Sequence, residues 1–178
     1  CLGERVPPEY APMAMEEMGF RDRTLDWHGQ PPAARLAGFR VLVIGAGFSG
    51  ICAAYRLGQL GIPFEIVEKN ADLGGTWYEN DYPESGVDTP NHFYSFAPNL
   101  HWSSNYSKRG EVWEYMHRVA EELGVRRRIR FGTEVVAMRW LEEPRQWEVT
   151  MRSAGGERSA RFNAVISAVG MLNRPKLA

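Results

Sequence analysis

The chain has 178 residues, of which 44% are hydrophobic and 24% are charged, and its formal net charge at pH 7 is -1. This composition is typical of one soluble globular domain with a sizeable core. The near-neutral charge excludes a strongly basic surface, so we expect neither nucleic acid nor an anionic membrane as a partner. No apolar run approaches the roughly 18 residues of a membrane-spanning helix, and the two cysteines favour a reducing, cytoplasmic location.

Residues 1–37 differ from the rest of the chain in composition. They carry five prolines and little hydrophobic periodicity, so we predict an extension or linker with one short helix near Met13–Gly19. The ordered domain is expected to occupy residues 38–178. Because the chain starts at Cys1 and stops at Ala178 just after a strand-like run, we expect a fragment whose domain is incomplete at its C-terminus.

The first part of this domain predicts a strand, a helix and a second strand. Val41–Ile44 is a short, continuous apolar run, which is typical of a fully buried parallel strand. Ser49–Leu60 has apolar residues at helical spacing, and Gly61 and Pro63 mark the end of this helix. Phe64–Val67 is a second buried strand. The whole stretch is therefore predicted to be a βαβ unit.

The remainder of the chain predicts a long loop, one helix and four strands. Residues 70–109 lack periodicity, and a loop of that length is usually either functional or an incorrect assignment. Glu111–Leu123 has one apolar face and predicts a helix that stops at Gly124. Turn signals between the following strands predict an antiparallel meander and then a return to the parallel sheet. The predicted strands are Glu134–Leu141, Gln146–Arg152, Arg158–Phe162 and Ala164–Ala168.

The turn between the first strand and the first helix is rich in glycine. Gly45, Gly47 and Gly50 follow the GxGxxG pattern, in which the second glycine lets a pyrophosphate approach the backbone at the helix N-terminus. Glu68 ends the second strand about twenty residues later, where a carboxylate accepts hydrogen bonds from ribose hydroxyls. The expected fold class is therefore α/β: a Rossmann-like dinucleotide-binding domain with a parallel sheet and an inserted antiparallel β-meander.

A second glycine pair identifies the dinucleotide. Lys69 would suit a 2′-phosphate, but the neighbouring carboxylate of Glu68 would repel one. The segment Asp72-Leu-Gly-Gly-Thr-Trp77 resembles that of flavoproteins with two dinucleotide-binding domains, in which this segment continues along the pyrophosphate toward the flavin. Thr76 offers a hydroxyl there, and Trp77 offers an aromatic face. We therefore expect FAD rather than NAD.

The resemblance extends to a narrower family. The chain resembles the sequence motif of Baeyer–Villiger and related class B flavin monooxygenases at Gly74–Trp77, Tyr82-Pro83, Asp88 and Tyr94–Phe96. The sequence GVDTPNH is most similar to the 4-hydroxyacetophenone monooxygenase-like branch, which also has an N-terminal extension. Glu84 departs from the family, which usually has glycine after Tyr-Pro, so the backbone geometry of that turn is an open point.

The resemblance implies a reaction and its cofactors. NADPH would reduce FAD, the reduced flavin would take up O2, and a small-molecule ketone would become an ester or a lactone. Asp88 would lie beside the flavin as a catalytic residue that sets the charge of an arginine from the NADPH domain. The chain contains one glycine fingerprint, so we expect that domain outside it. Residues 1–178 alone are expected to be inactive and to need missing C-terminal segments or a partner chain.

The candidate site contains residues from both glycine segments and from the meander. The candidate cofactor-binding residues are Gly45, Gly47, Phe48, Ser49, Gly50, Glu68, Lys69, Gly75, Thr76, Trp77, Tyr82, Asp88 and Val136. Two alternatives stay open: another FAD oxidoreductase of the reductase or amine oxidase type, and a non-catalytic remnant that keeps the fold.

Other polar and aromatic clusters predict structural roles. His92, His101 and His117 lack the spacing of metal ligands, so we expect no metal. Trp102 and Trp113 are predicted to pack in the core or on the surface rather than contact the flavin. The arginines between Arg126 and Arg130 predict a solvated face.

Overall fold

The computed structural model describes residues 7–17, 27, 29, 31, 33–91, 93–95 and 102–171. Its α-helices are α1 (Ala11–Glu17), α2 (Ala33–Ala37), α3 (Phe48–Gln59), α4 (Thr76–Glu79) and α5 (Arg109–Glu122). Its strands are β1 (Val41–Ile44), β2 (Phe64–Val67), β3 (Ile129–Arg130), β4 (Glu134–Leu141), β5 (Gln146–Ser153), β6 (Gly156–Phe162) and β7 (Ala164–Ser167). Short 3-10 helices cover Pro8–Tyr10 and Arg126–Arg128.

Four strands form a parallel sheet in the order β3-β2-β1-β7. β1 pairs with β2 in the register Val41↔Phe64 and with β7 in the register Val41↔Ala164. The three strands β4, β5 and β6 form a separate antiparallel sheet, which the chain inserts between β3 and β7. The predicted fold class, an α/β Rossmann-like domain with an inserted meander, is confirmed.

Helices cover one face of the parallel sheet. Val43 and Ile66 belong to the same buried cluster as Ile51 of α3 and Met116 of α5. The apolar positions of α3 and α5 recur at helical spacing, so each helix turns one apolar face toward the strands. The glycine turn after β1 is therefore held between the sheet and α3.

The meander covers the other face of the sheet. Leu42 and Val67 share a second buried cluster with Val149, Met151 and Phe162. Side chains of a strand alternate between its two faces, so β1 supplies one apolar side chain to each layer in turn. This explains why β1 is apolar along its whole length, as the sequence predicted.

The strand β3 was not predicted, and a two-residue strand is too short to show periodicity. Ile129 is nearly buried, whereas Arg130 forms an ion pair with Glu65 of β2. Arg126, just before β3, bonds to Asp72 with a distance of 2.9 Å between its Nη1 and the carboxylate Oδ1. Arg127 and Arg128 of the predicted solvated basic face are exposed, whereas Arg126 and Arg130 are partly buried and bind carboxylates of the protein.

Most other predicted elements are present with small shifts at their ends. The helix predicted at Glu111–Leu123 begins two residues earlier, and the predicted loop over residues 70–109 contains the short helix α4. The helix predicted near Met13–Gly19 is α1, although residues 18 and 19 lie outside the described part of the chain. None of the described helices is long and apolar enough to cross a membrane.

Candidate functional site

Two adjoining cavities lie at the carboxyl edge of β1, β2 and β7. The first, of about 710 Å³, is lined by the residues that follow β1 and β2 and by the start of the meander. The second, of about 600 Å³, is lined by the start of α3 and by the second glycine segment. Gly47, Gly75 and residues 168–171 line both cavities, so one elongated ligand can extend from one into the other. The carboxyl edge of a parallel sheet is where α/β proteins bind their ligands.

Two of the three fingerprint glycines are required by the fold itself. Gly45 has a φ of 101°, and a Cβ atom there would lie 2.6 Å from the carbonyl oxygen of Ala168. A Cβ atom on Gly50 would lie 1.9 Å from the carbonyl oxygen of Gly45, so this glycine lets α3 pack against the turn. Any side chain at either position would displace the backbone.

Gly47 differs from its two neighbours in the fingerprint. Its φ of -80° suits any residue, and the nearest protein atom to an added Cβ would be Gly75 Cα at an ordinary 3.5 Å. Gly47 lines both cavities, so the missing side chain leaves space on the path between them. The fold does not need glycine here, but a ligand that approaches the backbone does.

Glu68 places a buried carboxylate in the first cavity, directly after β2. The residue is 4% exposed, and its Oε2 and Oε1 accept hydrogen bonds from Ala46 N at 2.8 Å and Asn70 N at 2.9 Å. A carboxylate oxygen accepts two hydrogen bonds, so each keeps capacity for a ribose hydroxyl. Lys69 also lines this cavity, and its ammonium pairs with Glu79 at 2.8 Å. The carboxylates beside this lysine disfavour a 2′-phosphate.

The second glycine turn touches the first. Gly74 N donates to the carbonyl oxygen of Ala46 at 3.0 Å, and a Cβ atom on Gly75 would lie 3.1 Å from Gly47 Cα. The two turns therefore form one continuous backbone surface along both cavities. Among the described residues, no side chain caps the N-terminus of α3 beside this surface, and an uncapped helix N-terminus favours an anion such as a pyrophosphate.

Asp72 precedes this second turn and is strongly ion-paired. Its Oδ1 accepts hydrogen bonds from Leu73 N at 2.8 Å and from Arg126 at 2.9 Å. Burial raises the pKa of Asp72, but these hydrogen bonds and the charge of Arg126 outweigh burial and hold it below its ordinary value. The carboxylate is therefore ionised at neutral pH and holds the start of the turn.

Aromatic side chains form one wall of the second cavity. The ring centroids of Phe48 and Tyr94 lie 4.7 Å apart, and Trp77 Nε1 donates to the Tyr94 hydroxyl at 3.1 Å. The sequence analysis included Phe48 and Trp77 but not Tyr94 among the candidate site residues. Tyr94 lies in the long irregular segment. The sequence feature that pointed to it was its Tyr-Ser-Phe motif, which resembles that of the monooxygenase family.

Most of the candidate residues line a cavity, and three do not. Gly50 is buried behind the first turn, Tyr82 is 61% exposed, and Asp88 is exposed and accepts a hydrogen bond of 3.4 Å from Thr89 Oγ1. The candidates that line a cavity are Gly45, Gly47, Phe48, Ser49, Glu68, Lys69, Gly75, Thr76, Trp77 and Val136. Three residues of the sequence analysis lie outside the described residues: His92 and His101, which were predicted not to bind a metal, and Phe96.

Comparisons with known proteins agree with this geometry. Residues 43–119 match the family model of an NAD(P)-binding Rossmann-like domain. The chain is 41% identical over 175 residues to an uncharacterized monooxygenase of Sinorhizobium fredii, covering 97% of this chain and 26% of that protein. It is 40% identical over 142 residues to a Baeyer–Villiger monooxygenase of Streptomyces coelicolor, covering 78% of this chain and 26% of that protein.

A solved structure gives the same result. The crystal structure of OTEMO in complex with FAD and NADP superposes with a TM-score of 0.71 and 34% identity, over 79% of this chain and 27% of that one. The chain is a relative of the Baeyer–Villiger monooxygenases. It spans about a quarter of the length of the curated relatives that it matches. The predicted resemblance to this family is confirmed.

Proposed function

We propose that the chain is the FAD-binding part of an NADPH-dependent monooxygenase that oxidises a ketone to an ester or a lactone. The observation that carries the proposal is Gly47, which the fold does not require and which leaves room for a ligand between the two cavities. The relationship to Baeyer–Villiger monooxygenases supports the reaction type. The narrower resemblance to the 4-hydroxyacetophenone monooxygenase-like branch stays a prediction.

Each of the two cavities would bind a different half of FAD. Glu68 would bind the ribose of the adenosine half in the first cavity, where Val136 of the meander lines the wall beside it. The two glycine turns and the N-terminus of α3 would bind the pyrophosphate. The flavin half would enter the second cavity against Thr76 and Trp77. FAD, when bound, supplies the hydride-accepting and O2-activating chemistry, while the protein orients it and excludes water.

Asp88 keeps its proposed catalytic role, although it lies on an exposed segment. The family resemblance is the support for this role, and the segment between α4 and α5 carries both Asp88 and the cavity-lining Tyr94. An arginine from an NADPH-binding domain would be its partner. Asp88→Asn should therefore lower ketone oxidation while leaving FAD affinity unchanged.

The decisive experiment uses the protein at its natural length. We expect a yellow protein that releases FAD on denaturation, consumes NADPH faster when an aryl ketone is added, and forms an ester that contains one oxygen atom from 18O2. NADPH consumption without labelled ester would indicate a reductase, and reduction of the flavin by an amine would indicate an amine oxidase. A protein without bound FAD that also fails to bind added FAD would contradict the proposal.

Residues 1–178 alone should show no ketone oxidation. The sequence contains one glycine fingerprint, which FAD would occupy, so the hydride donor has no second fingerprint to bind. We therefore propose that further segments or a partner chain complete the enzyme, in a cytoplasmic location that suits the low cysteine content. Ester formed from FAD, NADPH and an aryl ketone by this chain, above a no-protein control, would contradict this expectation.

A further inference from the structure

Three partly buried side chains of α5 form a stripe beside the face that the helix turns toward the core. Arg109, Trp113 and His117 are spaced by four residues, which places them on one side of the helix. None of the three lines either cavity. The buried residues of α5 adjoin this stripe, and they are Val112, Tyr115, Met116, Val119 and Ala120.

Each member of this α5 stripe lies against a different point of the segment from residue 72 to residue 78, and two of them donate hydrogen bonds to it. Arg109 donates from Nε to the carbonyl oxygen of Trp77 at 2.7 Å and from Nη2 to that of Tyr78 at 3.2 Å. Trp113 Nε1 donates to the carbonyl oxygen of Leu73 at 2.9 Å. These bonds fix the segment on both sides of its glycine pair.

The stripe continues to the start of the same segment. His117 Nε2 lies 3.1 Å from Asp72 Oδ2, and Arg126 holds the other carboxylate oxygen. Within the stripe, the Arg109 guanidinium carbon lies 5.0 Å from the centroid of the Trp113 ring, which in turn meets the edge of His117 at 4.8 Å. Three neighbouring side chains thus act together on one stretch of backbone.

The segment needs such external support because of its glycines. Gly74 and Gly75 have φ values of 133° and 53°, and glycine has more conformational freedom to lose than any other residue. Trp113 also packs closely on Gly74, since a Cβ atom there would lie 2.7 Å from Trp113 Cδ1. Hydrogen bonds to the flanking carbonyl groups fix the turn in one conformation without touching the cavity.

We infer that the α5 stripe is a positioning element for the flavin half of the cofactor site. It sets the place of Gly74–Trp77, all of which line the second cavity, whereas of these four residues only Gly75 lines the first cavity, beside Glu68. The inference rests on the proposed function, because it assumes that FAD extends from the first cavity into the second. ADP contains the pyrophosphate but lacks the flavin half, so changes in the stripe should weaken the binding of ADP less than the binding of FAD.

The test compares the affinities of FAD and ADP for the FAD-free protein at its natural length. Arg109→Met removes a charged donor from two carbonyl groups and should raise the Kd for FAD about tenfold. Trp113→Phe keeps most of the ring but loses one neutral donor, and should raise it about threefold to tenfold. In both variants the Kd for ADP should rise clearly less than the Kd for FAD, because ADP reaches the second turn only through its pyrophosphate.

Two controls separate positioning from general destabilisation. Arg109→Lys retains a cationic donor and should restore part of the FAD affinity that Arg109→Met loses. Glu114→Gln changes an exposed residue of the same helix and should alter neither affinity. Equal losses for FAD and ADP, or an unchanged Kd for FAD in both stripe variants, would overturn the inference. If Arg109→Met fails to fold, the milder variant Trp113→Phe tests the inference by itself. A wild-type protein that binds ADP but not FAD would refute the proposed function and this inference together.

Discussion

The two glycine turns of the candidate site touch each other, yet they are supported in different ways. The first is held by backbone atoms of its own βαβ unit, as in the bond of 2.8 Å from Gly45 N to the carbonyl oxygen of Val67. The second, Gly74-Gly75, has a backbone bond from Gly74 N to the carbonyl oxygen of Ala46, but the residues on either side of it are held by side chains of α5, which begins at Arg109. A turn with backbone support tolerates changes in surrounding side chains, whereas a turn with side-chain support depends on residues distant in sequence.

Gly47→Val gives the largest effect expected in the first turn. The added methyl groups would occupy the path between the cavities, so the protein should lose FAD while its circular dichroism stays native. Gly47→Ala adds only an atom that the protein accommodates at 3.5 Å, and it should give a smaller loss. Gly45→Ala should instead impair folding, because its Cβ meets a backbone oxygen. Wild-type flavin retention by Gly47→Val would refute the ligand path assigned to this turn.

Glu68→Ala tests the side chain that the first turn holds in place. Loss of hydrogen bonds from the ribose to a charged acceptor costs about 1.5–3 kcal/mol each, so the Kd for FAD should rise at least about tenfold. Unlike the α5 stripe variants, this change should weaken the binding of ADP as strongly as the binding of FAD, because both ligands contain this ribose. Titration of both ligands checks this, and equal FAD affinity in wild type and variant would show that Glu68 does not bind the ribose.

Asp72→Asn tests the second turn through its pH dependence. The folded-state pKa of Asp72 lies below its ordinary value of 3.8, so its ionised form stabilises the fold above that pH. The variant should lose about 1–2 kcal/mol of unfolding free energy at pH 7. This difference should shrink as the pH falls through the folded-state pKa, because the wild-type carboxyl is then protonated too. Urea unfolding at several pH values measures it, and a difference that is constant with pH would argue against the ion pairs.

A second acidic group, Glu111, also has a lowered pKa, and its contribution to stability must be separated from that of Asp72. Burial raises the pKa of Glu111, but hydrogen bonds from Ser107 and Ser103 lower it below its ordinary value. Its contribution is therefore also lost in acid. Because Glu111 is present in wild type and variant alike, the difference between their stabilities isolates Asp72.

Local patterns in the sequence predicted the elements that rely on local rules. The strand β4 has the predicted bounds Glu134–Leu141, since turn residues such as Pro144 mark where it ends. The turn after β1 and Glu68 were predicted because the GxGxxG spacing fixes a strand, a turn and a helix within one unit. These are the parts of the site whose support lies within about thirty residues of chain.

The parts that could not be predicted depend on contacts between distant segments. Trp113 was correctly expected to pack, but its bond to the carbonyl oxygen of Leu73 spans forty residues and leaves no pattern. Tyr94 lines the second cavity because Phe48 and Trp77 orient it, and neither is near it in sequence. Side-chain support of an irregular segment therefore becomes visible only in the folded chain.

Glu84→Gly should give the smallest effect, in the segment that follows the second turn. Glu84 stands where the resembled family has glycine, and its φ of 67° lies in the region that favours glycine. Its ion pair with Lys108 joins two exposed side chains and adds little. We expect the melting temperature to rise by about 1–3 °C, with FAD affinity unchanged. Glu84→Ala, which loses the same ion pair but keeps the unfavourable φ, should show no rise. If both variants melted below the wild type by the same amount, the ion pair with Lys108 would be the more important support, and this segment too would depend on its side chains.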